Sequence, residues 1–305
     1  MTEAALATTN YDFLGKRYIC LTLSVIMLLG FVYIWQKRGM EKFGIDFLGG
    51  HEIVANIEAE SNSEAIAKAL EARGLQSPTV QAFEVGSQDV SIRVALDENL
   101  DSKAILELVK QALEELYPGK ISIDKTDSVG ATIGAEVKRK ALWAISLGLL
   151  MILIYVAVRF EFSYALGAVV ALFHDVGIAT GVYLWAGHDL NGSALAAALT
   201  IIGYSVNDTI VTFDRVREQL RKRKEIDLYQ TMNESVNFCL SRTIITGGLT
   251  LVSALGLLLL GGGAIQDLAV FLVAGIITGI YSTIYIAAPV ALWWEKMRGR
   301  YKPKQ

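Results

Sequence analysis

The sequence predicts an α-helical polytopic membrane protein with six transmembrane helices and one extracytoplasmic α+β domain between the first and second. Three observations carry this. The chain of 305 residues has a mean hydropathy of +0.41, too apolar for an ordinary soluble domain. Its apolar residues gather into six runs close to the roughly 20 residues that cross a bilayer. Charge is also divided unevenly. Residues 39–137 hold 18 acidic and 8 basic side chains while the whole chain has net charge −3, which leaves an excess of +7 elsewhere. That division suits two solvents on two sides of a membrane and argues against nucleic-acid binding. Cys20 and Cys239 have no CxxC spacing and offer no disulfide framework.

Residues 1–17 read as a cytoplasmic N-terminal segment and 18–36 as the first span. That run is too long for a signal-peptide core and has no small-residue cleavage site after it, so it reads as an uncleaved anchor. Residues 37–140 read as the outer domain with its linkers. "HEIVANIEA" alternates like a strand, and "SNSEAIAKALEARG" has helical spacing with a cap at Ser61 or Ser63 and a stop at Gly74. "TVQAFEV" and "DVSIRVAL" are strands joined by Gly86, Ser87 and Gln88. "DSKAILELVKQALEELYPG" is a helix capped by Asp101 or Ser102, and "KISIDKTDSV" a last strand. The order β-α-β-β-α-β predicts a ferredoxin-like domain. The remaining spans are 141–158, 162–187, 193–213, 242–262 and 267–294, followed by a cytoplasmic tail at 295–305.

Basic residues orient the spans. Lys16 and Arg17, Arg159, Arg215 and Arg217, the run Arg221, Lys222, Arg223 and Lys224, and Lys296, Arg298, Arg300, Lys302 and Lys304 all fall on one side if both termini are cytoplasmic. Lys138, Arg139 and Lys140 lie on the other side, but a domain of about 100 residues translocates largely regardless of charge.

Polar residues inside spans are the candidates for chemistry, because a charge at bilayer depth costs at least ~2.5–3.5 kcal/mol. Thr200, Tyr204, Asp208 and Thr212 follow one another at i+4 on span four, with Ser205 and Arg215 alongside and Asn207 adjacent. Ile202, Val206 and Ile210 face the other way. Span five answers with Arg242, Thr246, Thr250 and Ser253. Span three carries His174 and Asp175, then Gly177 and Gly181 at close-packing spacing. Asp208 reads either as a proton-binding group or as a structural carboxylate ionised against Arg242 or Arg215. Asp214 and Arg215 read as an interfacial pair. His174 and Asp175 read either as a hydrogen-bonded helix contact or as part of a proton path.

"ALTIIGYSVNDTIVTFDRVRE" closely resembles the hallmark of the SecF branch of the SecD/SecF protein-export membrane family, in the RND superfamily. "FGIDFLGG", "VRFEF", "ALFHDVGIATG" and "SRTIITGGLT" also resemble that family and occur in its order, with departures at Leu48 and His51 where threonine-like residues are expected. The resemblance implies a subunit of the bacterial cytoplasmic (inner) membrane that pairs with SecD and assists the SecYEG translocon, with YajC as an associate. It implies use of the proton-motive force to draw unfolded preprotein outward, no cofactor beyond the proton as coupling ion, and no enzymatic reaction. The positions matching the family's proton carriers are Asp208 and Arg242, with Asn207, Tyr204, Ser205, Thr212, Thr246, His174 and Asp175 as the supporting polar path. Competing readings are an RND-type lipid or drug exporter, an intramembrane aspartyl protease with Asp175 and Asp208 as its dyad, and a passive assembly factor.

Single cysteines placed in a cysteine-free background test the orientation. An impermeant thiol reagent applied from outside is expected to label positions 87 and 191 and to reach position 224 only after permeabilisation; outside labelling at 224 overturns it.

Overall fold

Among the described residues, six helices are long and apolar enough to cross a membrane. The computed structural model describes residues 11–76, 78–82, 88–96, 100–222 and 227–299. In chain order the elements are α1 (Arg17–Lys37), α2 (Ile45–Leu48), β1 (Gly50–Ile57), α3 (Ser63–Glu71), β2 (Thr79–Ala82), β3 (Asp89–Val94), α4 (Ser102–Leu116) and β4 (Ile121–Val129). Five further spans follow: α5 (Ala131–Arg159), α6 (Phe162–Trp185), α7 (Gly192–Lys222), α8 (Leu228–Leu260), and a last one made of α9 (Ala264–Ser282) and α10 (Ala288–Met297). The chain divides into two units, one of Met1–Gly39, Ile145–His188 and Ser193–Gln305, the other of Met40–Ala144 and Asp189–Gly192. The expected cytoplasmic segment before Tyr11, the turn at Gly86 and Ser87, the strand residues Phe83 to Val85, Arg223, Lys224, Arg300, Lys302 and Lys304 lie outside the described residues.

The smaller unit holds one four-stranded sheet in the order β2-β3-β1-β4, with every neighbour antiparallel. Alternation places Ile53, Ala55 and Ile57 of β1 on one face with Val90, Ile92 and Val94 of β3. That face is covered by Ile66 and Leu70 of α3 and by Ile105, Val109 and Leu113 of α4, and together they form one core. The cap of α3 differs from expectation. Asn62, not Ser61 or Ser63, accepts from the Glu64 and Ala65 amides at 3.0 and 3.1 Å, because its Oδ1 reaches the first free N–H groups from extended backbone. At α4 the cap is Asp101, which accepts from the Lys103 amide at 3.1 Å.

The "LGG" of residues 48–50 has a backbone reason. Gly49 and Gly50 take φ of 80° and 142°, and a Cβ on Gly50 would lie 2.8 Å from the Val94 carbonyl oxygen. Of the two residues that depart from the family pattern, Leu48 is exposed at the end of α2 and His51 is buried in β1 opposite Val94 and Ser128.

In the larger unit α6, α7 and the α9–α10 pair are the most buried spans, while α1, α5 and α8 expose most of their apolar surface. Glycines let the inner helices approach closely. A Cβ on Gly181 of α6 would stand 2.9 Å from the Cβ of Phe31 on α1. One on Gly167 would stand 2.5 Å from the Ala287 carbonyl oxygen. The last span is not the uninterrupted helix expected over 267–294. It widens into a π-helical turn at Thr283–Ala287 before α10. Pro289 stands in the first turn of α10 and lacks the N–H that a continuous helix requires, so the backbone changes register there.

The fragment 40–137 is expected to fold alone and unfold cooperatively, with Leu113→Ala lowering its stability by ~2–5 kcal/mol; a fragment disordered by circular dichroism overturns this. Gly167→Ala meets backbone rather than a mobile side chain, so it is expected to lower the thermal midpoint of the detergent-purified chain clearly, while Gly203→Ala, which meets nothing within 4 Å, does not.

Candidate functional site

Asp175 is wholly buried in the middle of α6. Its Oδ2 accepts from the Ser205 hydroxyl of α7 and, at 2.7 Å, from the Ser282 hydroxyl at the end of α9. Its Oδ1 meets His174 Nδ1 at 2.9 Å. The His174 ring stacks on Tyr281 at 5.9 Å between centroids. The Tyr281 hydroxyl donates to the Cys20 carbonyl at 2.6 Å and lies 3.0 Å from the Ser24 hydroxyl, both on α1. One buried carboxylate thus gathers four spans, α1 through α6, α7 and α9.

Asp208, on α7, sits one turn beyond Ser205. Its Oδ1 accepts from the Thr243 hydroxyl of α8 at 2.7 Å, and its Oδ2 is buried and, among the described residues, without a hydrogen-bond partner. The Thr283 hydroxyl lies close to the same carboxylate and pairs with Thr209 at 3.0 Å. Ser282 ends α9 and Thr283 opens the π-helical turn, so the junction serves both carboxylates, Ser282 towards Asp175 and Thr283 towards Asp208. Hydroxyls suit this place because each both donates and accepts, and so accommodates a carboxylate with or without its proton.

The polar stripe is only partly assembled as the spacing suggests. Tyr204 is half-buried, with its hydroxyl beside Gly247 of α8. Thr212 is buried beside Cys239. Ser205 turns to Asp175 rather than Asp208. Asn207 is exposed, as are Arg242 and Thr246. Among the described residues Arg242 makes no ion pair, so Asp208 is not salt-bridged to it or to Arg215. Thr246, Thr250 and Ser253 donate to carbonyls four residues back on their own helix. Asp214 and Arg215 do not pair with each other; Asp214 meets Arg159 at 3.3 Å and Arg215 meets Glu218 at 2.7 Å, since neighbours on a helix point apart. A protease dyad is not favoured: Asp175 bonds to Ser205, Ser282 and His174 and Asp208 to Thr243, and among the described residues no hydrogen bond joins the two carboxylates.

Thr209, Thr243, Ser282 and Thr283 were not anticipated as site residues. A signal exists for three of them. Thr243 follows Arg242 in "SRTIIT", and "YSTIY" interrupts the last apolar run just before Pro289. Lone hydroxyls are common in membrane helices, and only the packing distinguishes these.

The family described as "Protein export membrane protein SecD/SecF, C-terminal" matches residues 108–297. The protein translocase subunit SecF of Thermodesulfovibrio yellowstonii is 37% identical over 292 residues, covering 94% of this chain and 95% of that protein. The protein translocase subunit SecF of Rickettsia akari is 38% identical over 282 residues, covering 92% and 91%. Among solved structures, SecDF from Thermus thermophilus, a translocon-associated membrane protein, superposes with a TM-score of 0.85 at 29% identity. The alignment covers 96% of this chain and 40% of that longer one. SecDF in its super-membrane-facing form gives a TM-score of 0.69 at 30% identity, again covering 96% and 40%. With a family match over most of its length and relatives of this identity end to end, the chain belongs to the SecD/SecF family of protein export membrane proteins.

Proposed function

We propose that this chain is the SecF-like half of a proton-driven protein-translocation complex in the bacterial cytoplasmic membrane, with Asp208 as the group that takes up and releases the proton. The observation that carries the reading is the pair of Asp208 oxygens. One is held by Thr243 and the other is buried without a hydrogen-bond partner among the described residues, with the Thr283 hydroxyl near the carboxylate. The second oxygen is an open position for a proton; Thr283 lies close to the carboxylate and pairs in turn with Thr209, which supports a relay. Each proton crossing the membrane potential supplies about 2.3 kcal/mol per 100 mV.

Arg242 acts on Asp208 as an opposite charge through space in this reading, without a fixed ion pair. Asn207, Arg242 and Thr246 are exposed on helices of membrane-spanning length. Such groups rarely face lipid, which supports a partner whose helices cover them. A SecD-like half fits that place, as the known SecDF chain is more than twice the length of this one. The SecYEG translocon and YajC are the further associates, and unfolded preprotein the client. The smaller unit reads as a ferredoxin-like domain outside the cytoplasm, a reading supported by its β-α-β-β-α-β order and antiparallel sheet.

Membrane vesicles with and without an imposed proton gradient test the assignment by preprotein release. Asp208→Asn and Arg242→Met are expected to assemble with the partner and retain ATP-driven insertion, yet lose the response to the gradient. Asp208→Glu keeps a titratable carboxylate one methylene displaced and retains part of it. Lys222→Gln removes only an exposed pair with Glu218, of 2.6 Å, and is expected to behave as wild type. Wild-type release by Asp208→Asn, still responsive to the gradient, makes Asp208 structural.

A further inference from the structure

We propose that the cavity at the end of the helical unit where α1 begins and α10 ends binds the headgroup of an anionic phospholipid. The cavity has a volume of about 460 Å³, within the ~300–1,000 Å³ usual for small-ligand sites. It is lined by Arg17, Tyr18 and Leu21 of α1, Tyr229 of α8, and Trp293 and Lys296 of α10, with apolar neighbours on α10 completing the floor. Among the described residues two cations line it and no carboxylate does. Asp12 lies beyond the lining, and its carboxylate is taken by the Tyr229 hydroxyl at 2.5 Å and the Gly15 amide at 2.9 Å.

The two cations are prepared differently. Arg17 is held in place. Its guanidinium stands 4.6 Å from the Tyr18 ring centre and 5.6 Å from that of Tyr229, and donates to the Leu14 carbonyl at 2.8 Å. A guanidinium has five N–H donors in a planar fork, so others remain for a phosphate. The Lys296 ammonium is exposed and meets no acceptor among the described residues. Tyr18, Tyr229 and Trp293 are the side chains that favour the headgroup level of a membrane, with an apolar body and a polar tip.

Beyond the lining residue Leu21, the surface of α1 suits acyl chains. Val25 and Leu29 follow Leu21 at successive i+4 positions on α1 and are 55% and 63% exposed. A phosphodiester between Arg17 and Lys296, with its chains along this face, satisfies both the charge and the apolar track. A soluble phosphate satisfies only the charge. A net-negative headgroup such as phosphoglycerol matches the two lining cations better than a zwitterionic one, whose own ammonium competes for the phosphate. The proposal rests on the membrane spans alone and stands or falls separately from the translocation reading.

Native mass spectrometry of the detergent-purified full chain tests it, with phosphatidylglycerol and phosphatidylcholine of matched acyl chains as probes and inorganic phosphate as competitor. Phosphatidylglycerol is expected to bind at least about fivefold more tightly than phosphatidylcholine. Lys296→Gln, which breaks no internal contact, is expected to weaken phosphatidylglycerol about fivefold with an unchanged thermal midpoint, and Arg17→Gln to weaken it at least as much. Excess inorganic phosphate should leave the lipid bound. Equal retention of the two lipids, wild-type retention by Lys296→Gln, or displacement by inorganic phosphate overturns the proposal, the last by assigning the site to a soluble anion.

Discussion

A carboxylate without solvent contact, Asp175, sets the arrangement of the inner helices. Away from water a carboxylate must be hydrogen-bonded, and leaving such a group unsatisfied costs about 1–3 kcal/mol or more. Ser205 and Ser282 supply the bonds from two other helices. They fix the rotation of α7 and α9 about their axes, because a hydroxyl on a short side chain reaches only from one face. Small residues bring the backbones near enough for this: a Cβ on Gly279 would stand 3.4 Å from that of Ser205. Once Ser205 is turned inwards, Asp208 is carried towards α8, where Thr243 meets it.

The interruption of the last span serves the same arrangement. A regular helix separates consecutive side chains by about 100°, and the π-helical turn at Thr283–Ala287 changes that progression just after Ser282. Its cause is local, in Pro289, but its consequence is not. Ser282 and Thr283 reach different carboxylates on different helices.

The outward faces follow a different rule. Leu249, Val252 and Leu260 of α8 are largely exposed, which suits lipid or another apolar helix. Asn207 and Arg242 share those outer faces and suit neither water-free lipid nor this chain's own interior. The smaller unit has none of this tension, since its core is closed by its own two helices on one face of its sheet.

Much of this was legible in the residues. Six spans follow from run length, because a bilayer has a thickness and a helix a rise per residue. The strands and helices of the smaller unit follow from periods of two and 3.6, because one face must be buried. Asp208 stood out because a charge in an apolar run is costly. What eluded sequence reasoning turned on contacts between distant segments. The spacing grouped Ser205 with Asp208 since they share a side of one helix, whereas packing gave Ser205 to Asp175 on another. The missing Asp208–Arg242 ion pair, the roles of Thr243, Ser282 and Thr283, and the Asn62 cap had the same origin. Periodicity assigns a residue to a face, but which partner that face meets depends on how separate helices are rotated and spaced, and no local pattern encodes that.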